Sequence, residues 1–193
     1  MRGLRSVLLG AALMAAVGAA PAMAQTAKFS VGGGLTLPLG DFGDVSSTGW
    51  HGLAAVGFQP ANLPVGFQLD GMYQRFGVEN APDNFDGATQ IIQGTANVVY
   101  TFTTAEASTF HPYLIGGVGI YNAKPTGDDF QAIVGDESST DFGVNAGAGF
   151  DFQAGSVGLF VEGRFHNIFS DGSDANFVPI TVGVRFGGGG ATQ

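Results

Sequence analysis

The sequence predicts an all-β fold, an eight-stranded antiparallel up-and-down transmembrane β-barrel, on three observations. Apolar residues recur with period two in eight segments after Gln25, an even count. The connections between segments alternate between short and long. The polar face of the segments is built from Gly, Ser, Thr, Asn and Gln with a few charges, and the apolar face carries almost none.

Residues 1–24 stand apart. Arg2 and Arg5 make a positive start, Val7 to Ala20 is almost purely small and apolar, and Pro21 breaks any helix there. Ala22, Met23 and Ala24 fit the small-x-small cleavage pattern, so residues 1–24 are read as a signal peptide cut between Ala24 and Gln25. The apolar run falls short of the ~20 residues a helix needs to cross a bilayer, and no later segment reaches that length. Entry into a membrane therefore has to be by strands. Residues 25–186 form the barrel domain and residues 187–193 a glycine-rich tail.

The first segment, Lys28 to Leu39, sets Phe29, Val31, Leu35 and Leu37 against Ser30, Gly32, Gly34 and Thr36. The second, Gly49 to Phe58, has Trp50, Ala54, Val56 and Phe58 at alternate positions. In the third, Val65 to Arg75, Val65, Phe67, Leu69 and Tyr73 oppose Gln68, Asp70, Met72 and Gln74. The fourth, Thr89 to Thr103, alternates most cleanly, Ile92, Ala96, Val98, Tyr100 and Phe102 against Gln93, Thr95, Asn97, Thr101 and Thr103. The fifth, Phe110 to Asn122, fills its second face with His111, Tyr113, Ile115 and glycines. The sixth, Asp141 to Gln153, opposes Phe142, Val144, Ala146, Ala148, Phe150 and Phe152 to Gly143, Asn145, Gly147, Gly149 and Asp151. The seventh, Val157 to Asn167, sets Val157, Leu159, Val161 and Phe165 against Phe160, Glu162, Arg164 and His166. The eighth, Val178 to Phe186, sets Val178, Ile180, Val182, Val184 and Phe186 against Thr181, Gly183 and Arg185.

Links near Gln59 to Pro64, Thr104 to Thr109 and Ala154 to Ser156 are short. Those at Gly40 to Thr48, Phe76 to Ala88, Ala123 to Thr140 and Ile168 to Phe177 are longer. Ten residues at ~3.3 Å each and ~40° tilt rise about 25 Å, the height of a barrel's apolar band. A soluble periplasmic carrier of the lipocalin kind would also alternate, but its outer face would meet water and carry many Lys and Glu. Here the polar face is small and suits a narrow interior, which leaves the apolar face to lipid. A closed barrel also pairs every backbone group where no water can. Aromatic residues gathered toward segment ends fit interfacial girdles.

The pattern, together with His111-Pro112-Tyr113-Leu114-Ile115-Gly116-Gly117-Val118-Gly119, Phe160-Val161-Glu162-Gly163-Arg164-Phe165 and the closing strand Ile180 to Phe186, resembles the outer-membrane protein β-barrel domain family, the small OmpA/OmpX-type barrels. The likeness covers most of Lys28 to Phe186. It implies an eight-stranded barrel in the bacterial outer membrane, reached through the periplasm. It also implies insertion by the assembly machinery, which reads a last strand ending in an aromatic residue, here Phe186. In this chain Gly187 to Gln193 follow that residue.

Charge and composition bound the function. The formal net charge of −9, with seven Lys and Arg, is the wrong sign for binding nucleic acid. With no Cys there is no lipoprotein anchor, disulfide or thiolate chemistry. No cofactor is expected. On the predicted inner face, Asp70, Asp151, Glu162, Arg164 and Arg185 need partners, and Glu162 and Arg164, two apart on one strand, can join Asp70 and Arg185 in a network. An ion-paired plug is preferred to a gated polar pathway. His111 and His166 also face inward and Ser170 follows, but the parity is wrong for chemistry on outer lipid, and the His-x-Ser spacing of lipid A deacylases is absent. Most acids lie in or beside the long loops: Asp41, Asp44, Glu79, Asp83, Asp86, Asp128, Asp129, Asp136, Glu137, Asp141, Asp171 and Asp174. They keep the loops soluble, or bridge to lipopolysaccharide phosphates through divalent cations. No loop has EF-hand spacing, and Gly32 to Gly34 is no phosphate cradle because strand sequence surrounds it. No adhesin motif, peptidoglycan-binding domain or enzyme constellation is visible. The expected function is therefore a structural or surface-interaction barrel, monomeric, with outer-membrane lipids including lipopolysaccharide around it. The alternatives are a narrow channel or carrier for small solutes and the soluble carrier.

Overall fold

Period-two alternation with both faces occupied leaves each strand two edges to satisfy, and the chain does so by closing on itself. The computed structural model describes residues 27–59, 63–82, 85–102, 104, 108–154, 157–170 and 174–187. The signal-peptide and cleavage expectation, most of the glycine-rich tail, Asp83 and Asp171 lie outside the described residues. The strands are β1 (Ala27–Leu39), β2 (Gly49–Phe58), β3 (Val65–Gly77), β4 (Ala88–Thr101), β5 (Phe110–Thr126), β6 (Ser139–Ala154), β7 (Val157–Phe169) and β8 (Ala175–Gly187). Each pairs antiparallel with its sequence neighbour, and β1 pairs with β8 from Lys28–Gly187 to Leu39–Asn176, giving a closed eight-stranded barrel. The fold class is the one the alternation predicts.

The faces also follow the parity. Leu35, Phe67, Leu69, Ile120 and Val182 stand more than half exposed on the outside, while Ser30, Thr36, Gln74, Thr95, Glu162, Arg164 and Thr181 are buried within. Such an exposed apolar band is unusual for a protein in water and ordinary for one in lipid. At the short-turn end, outward aromatics from neighbouring strands meet in pairs, Phe29 with Phe186 at 6.1 Å between ring centroids and Phe110 with Phe150 at 5.1 Å, while Tyr100 meets Phe102, two residues on at the end of the same strand, at 5.1 Å. Trp50 and Tyr73 pair similarly toward the other end.

The strands run further than predicted, chiefly at the long-loop end. β5 continues past Asn122 to Thr126 and β6 begins at Ser139, because Ala123 pairs with Ser139 and the Asn122 side chain donates to Thr140 Oγ1 at 2.8 Å. β3, β7 and β8 extend in the same direction. β4 ends at Thr101, and Thr103 lies outside the described residues. Two long loops fold into short helices, α1 (Asp41–Val45) and α2 (Asp128–Val134). Gly40, at φ 57°, turns the chain from β1 into α1, a conformation other residues adopt rarely. Ser46 bridges Val78, which ties the first long loop to the second. In β8, Pro179 has no N–H to give, and the pairing with β7 skips from Gly163–Ile180 to His166–Phe177.

Candidate functional site

The inner face of the barrel collects the residues whose chemistry the sequence singled out. It is stratified along the barrel. At the long-loop end Phe76, Ile91, Tyr121, Ile168 and Phe177 form a buried apolar cluster, and Phe42 on α1 packs onto it, 5.1 Å between centroids from Phe76. Sequence reading treated the inner face as polar and left this cap out. Parity could have found it, since Phe76 continues the inward series Met72, Gln74, and Ile168 continues Arg164, His166. The series stopped short because the strand ends were placed too early.

Beneath the cap lies a ring of neutral polar side chains. Thr36 Oγ1 donates to Gln74 Oε1 at 3.1 Å and meets His51 Nδ1 at 2.9 Å. His51 Nε2 meets Thr181 Oγ1 at 2.9 Å, and Gln74 Nε2 donates to Gln93 Oε1 at 2.8 Å. Because the Thr36 hydroxyl proton is committed to Gln74, its oxygen accepts from His51 Nδ1–H, and Nε2 is then the acceptor for the Thr181 hydroxyl. His51 was not among the predicted site residues, since one His in a weakly alternating strand gives no spacing signal.

The ionic layer comes next. Arg164 Nη1 donates to Asp70 Oδ2 at 2.8 Å and Nε to Glu162 Oε1 at 2.6 Å, with Arg164 1 % exposed. Thr95 Oγ1 and Asn97 Nδ2 also donate to Asp70, at 2.7 and 2.9 Å, so its carboxylate is heavily satisfied. Asp151 and Arg185 form a separate pair nearer the short-turn end. Arg185 makes no ion pair with Asp70, so the two groups of the expected network are joined indirectly. Tyr113 links the two layers instead, donating to Glu162 Oε2 at 2.9 Å while the Arg185 guanidinium lies 5.3 Å from its ring centroid. A tyrosine can reach both layers because its ring spans the distance that Arg185 spends stacking on Tyr113 and, at 4.9 Å, on Phe160.

Glycines make room for these large side chains. A Cβ built on Gly147 would meet Arg164 Cγ at 2.6 Å, one on Gly143 would meet Tyr121 Cε2 at 2.7 Å, and one on Gly183 would strike Phe160. Bulk on one strand thus faces a bare backbone on the next. Not every polar atom is used: Arg164 Nη2, both side-chain polar atoms of Asn145 and His166 Nε2 have no hydrogen-bond partner among the described residues.

The remaining candidates are dispersed. His166 Nδ1 meets the Tyr121 hydroxyl at 2.9 Å, Ser170 Oγ donates to Asp141 at 3.4 Å, and His111 is half-buried at the short-turn end. In the long loops Asp86 Oδ2 accepts from the Asp128 backbone N–H at 3.3 Å, and Asp129 Oδ2 from that of Asp86 at 2.9 Å. Among the described residues no group of three or more His, Cys, Asp and Glu is placed to hold a metal ion. A cavity of about 260 Å³ opens at the short-turn end, lined among others by Lys28, Ser30, Gln68, His111, Tyr113, Asp151 and Arg185.

Solved structures share this architecture. Neisserial surface protein A is 19 % identical with a TM-score of 0.63, the match covering 83 % of this chain and 96 % of that one. Ail, the attachment invasion locus protein of Yersinia pestis, is 17 % identical with a TM-score of 0.53, covering 85 % and 100 %. Ail in complex with the heparin analogue sucrose octasulfate matches at a TM-score of 0.52 and 18 % identity, covering 83 % and 97 %. No curated protein matches the sequence. The family model described as outer membrane protein beta-barrel domain matches residues 9–186. Its span includes all eight strands up to Phe186, and the chain belongs to the outer membrane protein beta-barrel domain family.

Proposed function

We propose that this chain is a filled outer-membrane barrel with a structural or surface-interaction role, neither a channel nor an enzyme. The observation that supports this is the layering of its lumen, with an apolar cap, a polar ring, the clamped Arg164 and the Tyr113–Arg185 stack lying one beneath another. A hydrated ion needs a continuous polar path, and Phe42, Phe76 and Phe177 interrupt it at the long-loop end. Planar-bilayer recording from the purified protein is expected to show no conductance steps. Discrete, reproducible steps would overturn the reading in favour of a narrow solute pathway.

The loop end is negative. Asp41, Asp44, Glu79, Asp86, Asp128, Asp129, Asp136 and Glu137 are there against Arg75 and Lys124. A polyanion of the kind found with Ail suits such a surface poorly, whereas lipopolysaccharide phosphates can meet it through shared divalent cations. In this reading the chain is exported by residues 1–24 with cleavage after Ala24, inserted as a monomer by the assembly machinery through β8 and Phe186, and held in outer-membrane lipid.

A further inference from the structure

Basic residues are few outside the lumen, and they lie together. Of the seven Lys and Arg, Arg2 and Arg5 precede the described residues, and Lys28, Arg164 and Arg185 face the lumen. The other two point outward. Arg75 continues the outward series Phe67, Leu69, Tyr73 on β3, and Lys124 the series Val118, Ile120, Asn122 on β5. Both fall in one register row, Arg75 opposite Gln90 on β4 and Gln90 opposite Lys124. Tyr73 and Ile120 are the last outward aromatic and apolar residues below them, so the row stands about 5 to 10 Å above the apolar band at its long-loop edge, the level of lipid headgroups.

We propose that Arg75, Gln90 and Lys124 hold a phosphate group of an outer-leaflet glycolipid, the lipid A part of lipopolysaccharide, a site that rests on the reading of the chain as an outer-membrane barrel. Arg75 Nη1 donates to Thr126 Oγ1 at 3.3 Å, and Thr126 gives its own proton to the Ala88 carbonyl at 3.1 Å. That bond carries the guanidinium across β4 onto the strand and face that hold Lys124, where side chains two residues apart start about 7 Å from one another, within reach of a shared anion. Among the described residues no carboxylate comes within 4 Å of either cation, in a chain with sixteen Asp and Glu. Two cations drawn to one place repel, and an anion between them turns that cost into a gain. Between them Gln90 Oε1 accepts from the Tyr73 hydroxyl at 3.4 Å, which leaves its NH2 group to donate. The row thus offers a guanidinium fork, an ammonium and an amide donor, a set that suits phosphate oxygens. The net charge of −9 and the acids of the loops above repel free anions from solution, whereas a lipid is held at the row by its acyl chains against the apolar band. The loop acids reach phosphates only through a shared cation; this row binds one directly.

The test is titration of the full chain in detergent, with EDTA present, by diphosphoryl lipid A, by the same lipid stripped of both phosphates, and by inorganic phosphate. The readout is the emission of Trp50, the chain's one Trp, which lies opposite Arg75 in register and packs on Tyr73 at 5.4 Å. Diphosphoryl lipid A is expected to bind about tenfold more tightly than the stripped lipid or better, and inorganic phosphate to compete weakly. Arg75→Gln and Lys124→Gln should each weaken it about fivefold, the scale of one cation near a charged membrane surface. Lys28→Gln, the same charge change inside the lumen, should leave it unaltered. Equal affinity for the two lipids, or unchanged affinity in the Arg75→Gln and Lys124→Gln double variant, would overturn the proposal. So would binding abolished by EDTA, which moves the phosphate to cation-bridged acids, or displacement by inorganic phosphate at the lipid's own concentration, which makes this a free-anion site. Any of these with heat-dependent gel mobility intact overturns the site alone; solubility of the unaltered protein without detergent overturns the membrane reading beneath it.

Discussion

Arg164 shows how much one side chain can hold. It is sealed from solvent between Asp70 on β3 and Glu162 on its own strand. Truncation would leave two carboxylates close together in a low-dielectric interior, which typically costs about 3 to 5 kcal/mol. Arg164→Ala is therefore expected to lower the urea unfolding midpoint in detergent substantially. A midpoint equal to that of the unaltered protein would show that the pair is hydrated and contributes little. Parity placed Asp70, Glu162 and Arg164 on one face of their strands, since residues two apart point the same way. Parity alone did not place Asp151 with Arg185, because they lie on β6 and β8 and meet across β7 over Gly158, which has no side chain to separate them. His51 illustrates the same limit, since its partners Thr36 and Thr181 lie on other strands, one of them 130 positions away.

At the level of elements, the strands were legible and their outer ends were not. Alternation identified all eight, yet β5 and β6 continue as a hairpin beyond the apolar band, where no lipid demands an apolar face and the period-two signal fades. The helix α1 was invisible for a different reason. Residues 41–45 are too few to show helical periodicity, and their stability comes from docking Phe42 onto Phe76 and Phe177. Half-burying that ring is worth about 1 to 2 kcal/mol, so Phe42→Ala should raise the undocked population of the first long loop about tenfold. Limited proteolysis within residues 40–48 would register the change while the unfolding midpoint of the barrel stays put. Equal cleavage rates in the two proteins would mean that the cap holds without α1.

Across the whole molecule, closure of the β1–β8 seam removes every sheet edge and satisfies the backbone in lipid. Heat, and not SDS alone, should be required to open such a barrel. The unboiled protein from the membrane fraction is expected to migrate differently from the boiled one in SDS gels; recovery in the soluble fraction with identical mobilities would mean that the two faces are reversed. The sequence by itself determined the strand count, the faces and the sign of each surface, because these rest on local periodicity and composition. Only the tertiary structure decided that the lumen is closed by an apolar cap, that Arg185 pairs with Asp151, and that a cavity remains beneath Tyr113. Those outcomes depend on which residues of distant strands arrive at the same height, and register across a closed sheet is set by the packing of all eight strands together.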